Sequence, residues 1–251
     1  MPQPLRFAKQ SNPNKKSYSE LSKQPLYMLL FLLPLIIFYE VALYSSSSNI
    51  QIKAHAQLLQ FLEQFDFPTT QGLWLGGIAI ITILLIWHIA TKNKWSIKLY
   101  VLAFMACESV ALAIPLLLFG SILGGYLVAS QNSIPTLALF DKIAISIGAG
   151  LYEELIFRMI LIGGIHTIVR NIFNRSDIAG FCTGVLASSL LFALYHDLPN
   201  AGTLSAPILF FFFAAGCYLG FLYIIRDFGI AAGTHAAYDV VATALLASLA
   251  Q

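Results

Sequence analysis

The chain has 251 residues, 58% of them hydrophobic and 10% charged, with a formal net charge of +2. A soluble domain carries about 25% charged residues, so this composition excludes an ordinary water-soluble enzyme and places the chain in lipid. The small charge, scattered over loops, excludes a nucleic-acid binder, and apolar runs near or above the roughly 18 residues needed to cross a membrane recur so closely that no second, soluble domain has room.

Residues 1–25 are polar, carry Arg6, Lys9, Lys15, Lys16 and Lys23, and lack an apolar period, which predicts a disordered cytoplasmic arm. The apolar run 26–44 is too long for a signal-peptide core and has no small-residue cleavage site before the serines at 45–48, so it is expected to stay as a membrane anchor. Residues 50–66 set Ile52, Leu58, Leu59, Leu62 and Phe65 among Lys53, Gln57, Gln60 and Glu63, a pattern that fits a helix lying in the interface and an ordinary loop helix equally well. Further spans are expected at 72–90, at 99–128 with a kink at Pro115, and at 143–169, 178–196, 207–225 and 229–249. Cys107, Cys182 and Cys217 all fall inside these runs without CxxC spacing and read as small core residues.

The predicted fold class is therefore all-α: a polytopic transmembrane helix bundle of about seven spans, with a polar cavity in its C-terminal half. Its expected parts are the arm, the N-terminal helices over 26–128 and a helix bundle over 143–249. With the N-terminus inside, the arm, Lys92, Lys94, Lys98, Arg170, Arg175 and Arg226 are all cytoplasmic, and only Lys53 and Lys142 fall outside. A multi-pass protein of a bacterial inner membrane, N-terminus in and C-terminus out, is the expectation.

A charged side chain at the bilayer centre costs roughly 2.5 to 3.5 kcal/mol on insertion scales, so each one within a span needs a reason. The fourth run holds Glu153, Glu154 and Arg158 in GAGLYEELIFRMI. Glu154 and Arg158 lie four apart on one helix face with the glutamate N-terminal, the favourable order for an ion pair that fixes packing. Glu153 points about 100° away from Glu154 and is not obliged to share that arginine. An unpaired structural carboxylate in lipid is a poor explanation for it, which leaves it for chemistry.

His196 closes the fifth run in FALYH, and His235 and Asp239 share the seventh as HAAYD. The four-residue spacing lets Asp239 accept the His235 imidazole proton and fix its tautomer. His88 and His166, near span ends, read as packing residues or interface anchors, while Glu40 and Glu108 fit packing partners and cavity linings alike. A carboxylate, two histidines and a second carboxylate from three helices supply a general base, a water-positioning group and a donor for a developing oxyanion. No GxSxG or HExxH is present, and Ser188 and Ser189 sit among small residues at helix-packing positions.

In that order the motifs resemble the family that joins the CAAX prenyl endopeptidases with bacteriocin-processing and immunity-type membrane proteases, the CPBP or Abi family. Its EExxxR is similar to Glu153, Glu154 and Arg158, its FxxxH to Phe192 and His196, and its HxxxN or HxxxD to His235 and Asp239. The likeness covers about residues 143–245; the first 130 match only as apolar spans. It implies that Glu153 activates the attacking water with His196, that His235 and Asp239 stabilise the oxyanion, and that Glu154 with Arg158 holds the helix in place, with Phe192 in support. Asp239 departs from the asparagine of the CAAX-processing enzymes.

Members are often labelled metalloproteases, yet two histidines and a glutamate on three helices can hold a water without metal. No cofactor is expected, with zinc as the alternative. The expected partners are a peptide or protein substrate that reaches the membrane and the bilayer itself. Two other readings compete: an ion or proton-coupled transporter, because Glu and His chains also mark ion paths, and a non-catalytic immunity or binding protein. Counting about 1.5 Å per residue from the cytoplasmic ends puts His196 about 27 Å up its span and His235 about 9 Å up its own. A joint site requires a later start of the fifth span, near 180–184, or an oblique entry of the seventh.

Overall fold

The computed structural model describes residues 16–45, 75–122, 138–197 and 206–242, which are helical almost throughout. Residues 1–15, the amphipathic stretch 50–66, the end of the third run and the end of the seventh lie outside the described residues.

The inner end of the expected arm is ordered as α1, Tyr18–Ser22. It starts with a capping box in which the Ser17 hydroxyl takes the Glu20 backbone N–H and the Glu20 carboxylate takes the Ser17 N–H at 2.7 Å. That backbone donor, with the Ser17 hydroxyl, holds the Glu20 carboxyl below the usual range. Two residues later α2 runs from Pro25 to Ser45; a proline opens it, where a missing N–H costs nothing. Next come α3, Leu75–Ala90, and α4, Leu99–Ile122, which carries Pro115 within it.

The fourth expected span is one helical rod in three parts: α5, Leu139–Glu154; a π-helical segment, Leu155–Ile162; and α6, Gly163–Asn171. Then α7, Asp177–Asp197, leads to α8, Ala206–Asp239, broken at Asp227 where φ is 69° and ψ is 178°. There the chain doubles back, so that Phe211 in the first limb lies 6.3 Å from Tyr238 in the second, ring to ring. The boundary expected between the sixth and seventh spans thus falls on a single left-handed residue.

Among the described residues four stretches are long and apolar enough to cross a membrane: Pro25–Ser45, Leu99–Ile122, Asp177–His196 and Ala206–Ala242, the last of them this hairpin; Gly76–Ala90 is apolar but shorter. The chain is a membrane-spanning helix bundle. One core binds its two halves: Met28, Leu32, Ile36 and Tyr39 of α2 pack with Ile80 and Leu84 of α3, Ile147 and Tyr152 of α5, and Phe228 and Ala232 of α8. In lipid such contacts rest on close packing at small residues rather than on water exclusion. A Cβ on Gly150 would lie 2.5 Å from the Ala236 backbone nitrogen, so α5 and the second limb of α8 touch backbone to backbone.

The hairpin turn is tied to the N-terminus. Arg226 grips Glu108 of α4 with Nε at 2.6 Å and Nη2 at 2.7 Å, and also donates to Ser19 and Ser22 of α1. Tyr18 donates to the same carboxylate, and its burial with that carboxylate alongside pushes the phenol above its ordinary range. Glu108 is therefore a packing partner.

Candidate active site

The site begins where α5 passes into the π segment. Such segments widen the helix locally and recur at functional sites; here the transition falls directly after Glu153 and Glu154. The π turn is pinned to α7 by Ser188, whose hydroxyl donates to the Phe157 carbonyl at 2.6 Å. Ser188 is thus the packing residue its small neighbours predict.

Glu154 and Arg158 form the expected pair, Oε1 to Nη1 at 3.0 Å, with both side chains out of contact with solvent. The same Glu154 oxygen receives His235 Nδ1 at 2.8 Å. Sequence spacing assigned the imidazole's orientation to Asp239; the helix register gives Nδ1 to Glu154 instead, and Asp239 faces the opposite nitrogen, Nε2, at 3.5 Å. Nothing in the local pattern carries this contact, because it joins residues far apart in the chain. Arg158 also donates to the Gly216 carbonyl at 3.4 Å and lies 4.5 Å over the Phe192 ring, a cation–π contact.

Glu153 lies between these fixed groups. Its Oε2 faces His196 Nε2 at 3.4 Å and His235 Nε2 at 4.0 Å, and this buried oxygen makes no hydrogen bond among the described residues. A buried polar atom left so is uncommon and calls for an explanation. His196 Nδ1 meets the carbonyl of Phe192, one helical turn back, at 2.9 Å, which leaves Nε2 to face Glu153. It also stacks on Phe212 at 4.2 Å and 19°. Phe192 serves as a floor under Arg158 and His196, whose ring lies 4.4 Å away. The FFFF run gave no sign that Phe212 in particular would matter.

The depth conflict is resolved without a later start of α7, which begins at Asp177. The hairpin sets His235 in the lining of the cavity that His196, Phe211 and Phe212 also line, and the Glu153 carboxylate faces both imidazoles. That cavity, about 40 Å³, is lined by Phe192, His196, Phe212, His235, Tyr238 and Asp239, with Leu116 and Leu219 closing its apolar side. It has room for one or two waters. Its solvent side is marked by His196 and Asp239, whose side chains keep 22% and 20% of their exposure against 7% for Glu153.

Among the described residues no group of three His, Cys, Asp or Glu side chains is arranged to hold a metal ion. His88 sits edge-on to Trp95, and His166 stacks on Phe181 and meets Asp177 at 3.1 Å. Both are packing positions away from the cavity; Glu40, also outside its lining, accepts a hydrogen bond from Tyr152.

Fold and site define an all-helical membrane protein with a buried glutamate and histidine cluster. Residues 135–241 match the family model described as Type II CAAX prenyl endopeptidase Rce1-like, and that segment is similar to the CPBP family its motifs resemble. The family so described is one of CAAX-type endopeptidases. No curated protein and no solved structure matches the chain.

Proposed function

We propose that this protein hydrolyses peptide bonds in a substrate that reaches the bilayer, using a water activated by Glu153 rather than by a metal. The observation that carries the reading is the Glu153 Oε2 atom, buried, unbonded among the described residues, and facing the Nε2 atoms of His196 and His235, two histidines that themselves line a water-sized cavity.

In this reading Glu153 takes a proton from a water held with His196, and the water oxygen attacks the scissile carbonyl carbon. The carbonyl oxygen becomes an oxyanion beside His235. Because Nδ1 is committed to Glu154, a donor at Nε2 requires the doubly protonated ring, whose charge Glu154 and Asp239 balance. The C–N bond then breaks, and Glu153 passes its proton to the leaving amine. Glu154, Arg158 and Phe192 hold the groups in place. The lysines and arginines favour a cytoplasmic N-terminus in a bacterial inner membrane.

The test is reconstitution in proteoliposomes, with peptide cleavage and ion flux measured on one preparation. Cleavage by the native protein and none by Glu153→Gln is the expected result. Ion flux without cleavage would move the site to a transport role.

A further inference from the structure

Glu40 of α2 lies outside the segment that matches the family model, yet it is buried and bonded to the residue next to Glu153. It accepts a hydrogen bond from the Tyr152 hydroxyl, and Gly77 lies close against its carboxylate. Tyr152 packs on Tyr39 with ring centroids 5.3 Å apart. The surrounding helices are cut to fit this group. A Cβ on Gly76 would lie 1.8 Å from the Tyr152 ring, one on Gly148 would lie 2.4 Å from the Tyr39 ring, and one on Gly77 would lie 2.8 Å from the Glu40 carboxylate.

A carboxylate in lipid is costly, and an apolar residue would fill an ordinary packing position here. The cost makes sense from where Tyr152 stands. It is on the last turn of α5 before the π segment, a junction at which the helix can change its winding. Glu154, on the other side of Glu153, is pinned by Arg158 and His235. With Tyr152 pinned by Glu40, both neighbours of Glu153 are fixed to different helices.

We propose that Glu40 is a positioning residue for Glu153: through Tyr152 it fixes the turn at which α5 enters the π segment, and so the angle at which the Glu153 carboxylate meets His196 and His235. This rests on the role given to Glu153 above, but its test is separable.

The variants are Tyr152→Phe, Glu40→Ala, Glu40→Gln and the double Glu40→Ala/Tyr152→Phe in the full chain. Each is measured for thermal stability in detergent, for kcat and KM on one peptide, and for the ¹⁵N imidazole signals of His196 and His235. A misplacement of about 1 Å costs up to about a hundredfold in rate. Tyr152→Phe and Glu40→Ala should each lower kcat about tenfold or more with KM within about twofold, and the double variant should be no worse than either. Glu40→Gln, which keeps a carbonyl acceptor, should stay within about threefold of the native rate. The His196 signal should move in Tyr152→Phe and in Glu40→Ala and keep its native position in Glu40→Gln. Native kcat with unmoved imidazole signals in Tyr152→Phe would overturn the proposal, as would a rate loss fully matched by loss of folded protein. If the native protein cleaves no peptide, the peptidase reading falls, while the imidazole signals still decide whether Glu40 positions Glu153.

Discussion

The two adjacent glutamates have different surroundings, and their substitutions should fail differently. Glu153 makes no pair within its own helix, so Glu153→Gln removes a buried charge at nearly constant shape. It should leave thermal stability unchanged while lowering turnover by the roughly 10² to 10⁴ expected for loss of a general base; retention of a tenth of native turnover would sink the assignment. Arg158→Ala instead strips Glu154 of its partner at 3.0 Å. Breaking a buried pair costs about 3 to 5 kcal/mol, with the lower end expected because His235 still faces the same carboxylate. Folded yield and melting temperature should both drop. A well-expressed Arg158→Ala protein of native melting temperature would show that the pair contributes little. Metal is tested at the same scale: dialysis against chelators should leave activity intact and purified protein should contain no stoichiometric zinc, whereas activity that disappears and returns with one equivalent of zinc would shift the mechanism to metal-assisted hydrolysis.

At the level of helices, the proposed mechanism depends on how closely α5 approaches the second limb of α8, since one carries Glu153 and Glu154 and the other His235. Gly150→Ala tests that approach. The added carbon would meet the Ala236 nitrogen at 2.5 Å and its Cα at 2.7 Å, and backbone cannot give way as a side-chain tip can. Overpacking of this kind costs about 1 to 3 kcal/mol, and the separation should lengthen the Glu154–His235 contact, so activity should fall more than stability; an unaffected enzyme would mean the helices have slack. This packing also shows what the sequence could carry. The four-residue pairing of Glu154 with Arg158 and the break near Asp227 were readable, because local periodicity and span length encode them. The Glu154–His235 bond and the stacking of His196 on Phe212 were not, because they depend on the register between helices distant in the chain. The π segment left no compositional mark either, since Leu, Ile, Phe and Met suit both kinds of helix.

For the whole molecule, the candidate site and the family match both fall in the second half, but the core does not respect that boundary. Tyr152, one residue from Glu153, packs against Tyr39 of α2, and Phe228 and Ala232, near His235, share a cluster with Met28, Leu32 and Ile36. Arg226 at the hairpin turn is held by Glu108 of α4 and by the serines of α1. A chain reduced to residues 135–251 would be without the partners of all these groups at once. It would leave the Tyr152 hydroxyl without the Glu40 acceptor and the Arg226 guanidinium without its carboxylate. Apolar faces left by α2 and α3 can be covered by lipid, but orphaned polar groups in hydrocarbon cannot be satisfied there. The truncated chain should therefore insert into membranes yet fail to give a monodisperse, cooperatively melting species in detergent, and it should cleave no peptide. Co-expression with residues 1–134 as a separate chain should restore part of the folded yield, because the two halves are held together here by noncovalent packing, hydrogen bonds and ion pairs. Size-exclusion profiles and thermal melts of the native protein, the truncated chain and the co-expressed pair decide the matter. A truncated chain with a sharp melt and native turnover would show that the site stands without the N-terminal helices, and would remove the ground for any positioning role of Glu40.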